Sequence, residues 1–200
     1  MSINVAFKTK ETARLACSRD DRRLVRLHEL IDKLSLQRGD FTLSSGRKSK
    51  YLFQLRQTTM QPEGASLIGD LIIDFMREHR IECVGGLELG AVPVVSATAV
   101  MSFQKHHPVA AFFVRKEAKK HGAKERIDGH ILDNDEILLV DDVTTTGQSM
   151  LDAIEPIAGE GRRMEKALSI VDREEGAAEF LAEHGITLYS FLKRSDFDIG

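Results

Sequence analysis

The stretch that leaves this chain the fewest options is residues 137–149, ILLVDDVTTTGQS. It opens with four large apolar residues, Ile137, Leu138, Leu139 and Val140. A short apolar run bounded by polar residues fits a strand covered on both faces. Asp141 and Asp142 follow, where that strand would leave its sheet. Three threonines and Gly147 come next. Beyond them Met150, Leu151, Ile154 and Ile157 recur at helical spacing. The unit is strand, acidic pair, hydroxyl-rich turn, helix. It belongs in an open α/β sheet, where ligands sit at the carboxyl ends of strands.

The chemistry of that unit is specific. Its turn offers backbone N–H groups and hydroxyls at a helix N-terminus, which favours an anion such as phosphate. The two carboxylates can accept hydrogen bonds from sugar hydroxyls or hold Mg²⁺ through water. One loop can thus grip a ribose 5-phosphate by both ends. Asp-Asp alone would read as an acidic turn before a threonine cap. No Gly-Lys-Ser/Thr follows, so the string is not a P-loop, and it is not G-x-G-x-x-G.

The rest of the chain supplies the sheet. Asp20 and Asp21 cap a helix whose apolar stripe is Leu24, Leu27, Leu30, Ile31 and Leu34, ending at Gly39. Residues 41–46 and 51–55 read as two short strands around a Gly/Ser/Lys turn. Pro62 and Glu63 open a second helix, which buries Leu67, Ile68, Leu71, Ile72, Phe75 and Met76. A strand at 83–87, a helix at 94–103 and a strand at 109–114 precede the central unit. A strand at 168–171, a helix at 177–184 and a strand at 186–192 follow it. This alternation predicts an α/β fold with a mostly parallel central sheet flanked by helices. The two early strands break the rhythm and predict a small N-terminal flap. Residues 1–20 read as an N-terminal extension.

Two hundred residues suit one domain with a sizeable core. A net charge of −3 gives no general reason to expect nucleic acid or an anionic membrane as partner. The chain has no 18-residue apolar run. Cys17 and Cys83 are isolated, which fits a reduced, cytoplasmic protein. The histidines show no metal-ligand spacing.

Residues 115–129, RKEAKKHGAKERIDG, fit no element. A connection of this length inside a compact domain is usually functional or disordered. Its six basic residues read either as a solvated charged loop or as a mobile cationic lid over a polyanion.

Four stretches together resemble one family, the orotate phosphoribosyltransferases of the type I phosphoribosyltransferase fold. They are residues 41–49 (FTLSSGRKS), 85–93 (GGLELGAVP), 115–122 (RKEAKKHG), and the 137–149 string with 171–176 (VDREEG). The resemblance runs from about residue 24 to the C-terminus. It implies a hood at about 21–60 and a core at about 61–200, within a single phosphoribosyltransferase domain at 21–200. It implies transfer of the phosphoribosyl group of 5-phosphoribosyl 1-pyrophosphate (PRPP) to orotate. The products are orotidine 5′-monophosphate and pyrophosphate, with Mg²⁺ as cofactor.

The resemblance also assigns roles. Asp141 and Asp142 match the acids that meet the ribose hydroxyls, and the turn of Val143, Thr144, Thr145, Thr146, Gly147, Gln148 and Ser149 matches the 5′-phosphate cradle. Thr145 also lies near the pyrimidine. Arg115, Lys116, Lys119 and His121 match the residues that handle pyrophosphate, partly in the neighbouring subunit of a homodimer. Lys119, His121, Asp141 and Asp142 are the catalytic set. Arg173 matches the arginine that binds orotate, as a planar guanidinium suits a carboxylate. Its other reading is a surface pair with Glu174 or Glu175. Mg²⁺ is expected on PRPP and water near Asp141 and Asp142, with no direct side-chain ligand. Ser44 and Gly90 depart from the family pattern, since many relatives carry lysine at both places.

Three other readings stay in view. They are a phosphoribosyltransferase for another base, a PRPP-sensing regulator of nucleic acid, and a PRPP synthetase. The stretches at 115–122 and 171–176 argue against the first. Near-neutral charge argues against the second, and chain length against the third.

Overall fold

A computed structural model describes residues 13–42, 46, 48–117, 126–131, 136–158 and 162–199. The elements begin with β1 (Arg14–Leu15), α1 (Arg22–Leu34), β2 (Leu36–Thr42), β3 (Lys48–Phe53), α2 (Arg56–Thr59) and α3 (Pro62–His79). Next come β4 (Cys83–Gly85), α4 (Ala91–Gln104), β5 (Ala110–Val114), β6 (Ile127–Gly129) and β7 (Glu136–Thr144). The chain closes with α5 (Gln148–Ala158), β8 (Arg163–Asp172), α6 (Ala177–Glu183) and β9 (Thr187–Lys193).

The main sheet runs β1-β9-β8-β7-β4-β5-β6. Every neighbouring pair in it is parallel except β5 with β6. The apolar run of β7 shows why the sheet needs helices on both faces. Successive side chains on a strand point to opposite faces. Leu138 and Val140 enter a core with Leu27 and Ile31 of α1, Ile68 and Ile72 of α3, and Val94 of α4. Ile137 and Leu139 enter the other core, with Met150, Ala153 and Ile157 of α5 and Leu181 of α6.

Backbones approach closely where β4 leaves the sheet. A Cβ on Gly85 would run into the Phe112 ring, and one on Gly86 into the Val140 carbonyl. The Gly-Gly pair therefore lets the 86–90 turn lie directly against β7. Asp21 caps α1 by accepting the Arg23 N–H at 2.8 Å. The Arg23 guanidinium also reaches Asp70 and Asp74 of α3, each at 2.6 Å. Lys105, just past α4, pairs with the same two aspartates, tying three helices together.

The flap is a separate two-stranded antiparallel sheet, β2 with β3. Its strands lie earlier than expected. Gly39 does not end α1, which stops at Leu34 with Ser35 as its cap. Gly39 lies inside β2, where the register with β3 shifts between Arg38 and Phe41. Phe53 packs edge-on to Phe197 at 5.2 Å, which fastens β3 to the C-terminal segment.

Three further features differ from the sequence reading. Residues 127–129 are a sheet-edge strand paired with β5, not part of an irregular loop. Within the extension, Arg14 and Leu15 pair with Tyr189 and Ser190 of β9. The acidic pair lies within β7, whose pairing with β8 continues to Thr144.

Candidate active site

The carboxyl ends of β4 and β7 meet α2 around a cleft of about 600 Å³. Asp141, Asp142, Val143 and Ser149 form one wall. The Leu87–Gly90 turn and Lys116 form a second, and residues 52–57 close it from the flap side. The acidic pair is braced by its own backbone. The Asp142 N–H donates to Asp141 Oδ1 and the Val143 N–H to Asp142 Oδ1, both at 2.9 Å.

Burial raises the Asp141 carboxyl well above the ordinary carboxylate range, and the adjacent Asp142 charge adds to it. Lys116 acts in the opposite direction. Between the unfolded value and this raised one, the folded state keeps a proton that the unfolded state has lost. Stability therefore falls as pH rises through that window. Asp141→Asn removes the cost while keeping the Oδ1 acceptor. We expect the variant to be more stable than wild type at pH 8, by about 0.5–2 kcal/mol, as when strain at an active site is relieved. The gain should shrink toward pH 5, and activity should be lost. Thermal melts at the two pH values test this; equal melting temperatures at pH 8 would refute it.

The hydroxyl turn follows directly. Gly147 has φ +85°, a conformation that L side chains rarely adopt, so the turn needs glycine there. Its carbonyl accepts the N–H groups of Met150 and Leu151 and starts α5. Thr145 is half-buried, and Thr146, Gln148 and Ser149 are exposed. The Gln148 side chain turns along the helix to Asp152 at 2.7 Å. Thr144 is buried, and its hydroxyl has no partner among the described residues.

Sheet register sets Arg173 beside the hydroxyl turn, although it does not itself line the cleft. Thr144 pairs with Asp172, and the Thr144 carbonyl accepts the Arg173 N–H at 2.9 Å. The next residues turn sharply, with Glu174 at φ +58° and Gly176 at φ +100°. Arg173 does pair with Glu175, at 2.7 Å, but this is no surface pair: its side chain is only 12% exposed. The guanidinium lies 5.1 Å from the Tyr51 ring centroid and donates to the Tyr51 hydroxyl at 3.3 Å. Its Nε is buried without a partner among the described residues. A guanidinium fixed from two sides with one N–H unspent is prepared for an acceptor.

Arg115 is elsewhere. It pairs with Asp128 across the β5–β6 ladder and does not line this cleft. Lys116 lines the cleft, and its backbone N–H donates to Glu88 at 3.0 Å. Lys119, His121 and Ser44 lie outside the described residues. Sequence reasoning missed Tyr51, Glu88, Arg56 and Gln57. Tyr51 had been read only as a strand residue, and α2 is too short for periodicity to reveal.

Known proteins match this architecture over most of its length. An orotate phosphoribosyltransferase of Rhodopseudomonas palustris (strain BisB5) is 45% identical over 176 residues, covering 86% of this chain and 94% of the relative. The one from Aquifex aeolicus is 40% identical over 174 residues, covering 86% and 95%. The chain belongs to the orotate phosphoribosyltransferase family. A crystal structure of the Mycobacterium tuberculosis orotate phosphoribosyltransferase in complex with PRPP superposes with a TM-score of 0.73 at 34% identity, covering 87% of this chain and 98% of that one. No family model matches the chain.

Gly90 now has a physical account within the family. A Cβ there would lie 2.6 Å from Asp142 Oδ1 and 2.7 Å from Asp141 Oδ1. The acidic pair packs against bare backbone at this position. A side chain at 90 would require both carboxylates to move.

Proposed function

We propose that this chain transfers the 5-phosphoribosyl group of PRPP to orotate. The products are orotidine 5′-monophosphate and pyrophosphate, a step of UMP biosynthesis. The observation that carries the reading is the order of groups along the adjacent ends of β7 and β8: the acidic pair on the cleft, then the hydroxyl turn, with Arg173 held beside that turn by the Thr144–Asp172 register. The first two suit the ribose 5-phosphate. The third suits a planar substrate bearing a carboxylate.

In the reaction a ring nitrogen of orotate, having lost its proton, attacks the anomeric carbon of the ribose. The bond to the pyrophosphate oxygen breaks, and the leaving group takes the electron pair. By analogy with glycosyl transfer, positive charge develops on the sugar. Catalysis is then mainly positioning and charge neutralisation. Asp141 and Asp142 hold the ribose hydroxyls, the 144–149 turn holds the 5′-phosphate, and Arg173 holds the orotate carboxylate beside Thr145. Lys116, Lys119 and His121 meet the pyrophosphate, and closure of the lid between β5 and β6 excludes water.

Mg²⁺ suits this donor set. Two adjacent carboxylates favour a hard cation. No group of three His, Cys, Asp or Glu among the described residues can hold a metal directly. Asp141 and Asp142 would hold it through water and PRPP, and the ion would supply charge neutralisation on the leaving group.

We further place the enzyme in the cytoplasm as a homodimer, with residues 21–200 as one catalytic domain to which β1 of the extension adds an edge strand. Neither Cys17 nor Cys83 is in a disulfide, which suits a reducing compartment. No helix among the described residues is long and apolar enough to cross a membrane. An apolar groove of about 610 Å³ runs between α3 and α4. Met60, Val100 and Phe103 expose 59–78% of their surface beside it, a face that suits a second copy.

Incubation with PRPP, Mg²⁺ and orotate should consume orotate, followed by its loss of ultraviolet absorbance. Chelation should stop the loss. Preferential use of hypoxanthine, adenine or uracil would overturn the assignment.

A further inference from the structure

We infer that Arg56 is a pyrophosphate clamp: it holds the leaving half of PRPP from the flap side of the cleft. The inference rests on the phosphoribosyltransferase reading above and adds a residue to it. The charge of the cleft raises the question first. Its described lining carries three carboxylates, Glu88, Asp141 and Asp142, against two basic side chains, Arg56 and Lys116. Such a lining repels a polyanion unless each cation is used.

The local structure aims Arg56 at the cleft. The α2 helix has one buried side, with Leu55 at its N-terminus and Thr58 and Thr59 within it. That side is pinned to α1: the Gln54 N–H donates to the Ser35 carbonyl at 2.8 Å, and the Thr58 and Ser35 hydroxyls lie 2.7 Å apart. With 55, 58 and 59 turned inward, 56 and 57 must face out, and both line the cleft. Arg56 is thus carried on a fixed platform rather than a loose loop.

The Arg56 side chain is also uncommitted. It makes no ion pair or side-chain hydrogen bond with any described residue, unlike Arg23, Arg26, Arg38, Arg115 and Arg126. An exposed, unpaired guanidinium on a cleft that it shares with two carboxylates is poised for a ligand rather than for the fold. Its planar fork matches two phosphate oxygens at once. The 5′-phosphate already has a cradle at 144–149, on the opposite wall. The pyrophosphate is the anion left for Arg56, with Lys116 sharing it across the cleft.

The test compares Arg56→Gln and Arg56→Lys with wild type. Arg56→Gln should raise the KM for PRPP about tenfold or more, the worth of a lost charge-assisted contact. The KM for orotate should change less than twofold. In calorimetry with Mg²⁺, pyrophosphate affinity should fall by a similar factor, while ribose 5-phosphate affinity stays the same. Arg56→Lys should recover part of the loss, and melting temperatures should be equal, because Arg56 supports no packing. Unchanged pyrophosphate affinity overturns the clamp, and so does an equal loss for pyrophosphate and ribose 5-phosphate. The calorimetric arm needs no orotate. Failure of wild type to consume orotate would therefore count against the function reading, while pyrophosphate affinity still decides the role of Arg56.

Discussion

Arg173→Ala should raise the KM for orotate roughly ten- to a hundredfold, the equivalent of about 1.5–3 kcal/mol for a charge-assisted hydrogen bond. The KM for PRPP should change little. The expectation follows from how Arg173 is held. Glu175 and Tyr51 fix the guanidinium, and its buried Nε–H has no partner among the described residues. Arg173→Gln keeps more of the side-chain volume and separates packing from charge. If Arg173 served only to neutralise Glu175, both variants would lose thermal stability and bind orotate normally. An unchanged KM for orotate in a folded variant would return Arg173 to a structural ion pair.

How much of this was legible in the sequence depends on the range of the forces involved. The β7 run was legible because burial on both faces demands four consecutive apolar residues, and few other structures tolerate them. The helices were legible through their stripes. Leu24, Leu27, Leu30 and Ile31 are all buried in α1, as the spacing required, while Leu34 at the helix end is exposed. The flap was harder. Phe53 and Tyr51 are secured by Phe197, Arg173 and Arg194, more than a hundred residues away in the chain. No local pattern encodes such partners, so the strand limits came out shifted and Tyr51 was missed. The short edge strands β1 and β6 were missed for the same reason, since each exists only through the ladder it joins.

The site divides along the same line. Asp141, Asp142 and the hydroxyl turn are contiguous and were read from residue types alone. Arg173 needed either a family resemblance or the register of Thr144 with Asp172. The fit of Gly90 against both carboxylates is a matter of ångströms, which no composition reveals. Arg56 lay in plain sequence view, but only the burial of Leu55, Thr58 and Thr59 around it shows which way it faces.

In the proposed homodimer with shared sites, Lys119→Ala and Asp142→Asn, each nearly inactive alone, should together regain about a quarter of wild-type activity when reassorted. The prediction tests where the lid acts. Arg115, at the root of the lid, is turned to Asp128 and does not line its own cleft. A lid that works in the neighbouring subunit accounts for that placement. In a heterodimer one site then receives both defects and the other receives none. Random one-to-one reassortment makes about half the dimers mixed, each with one intact site, and two-fold symmetry gives the quarter. A lid that closes over its own subunit leaves a defect in every site of the mixture. Native mass spectrometry establishes that mixed dimers have formed. Activity that then stays at the level of the separate variants would rule out the shared site.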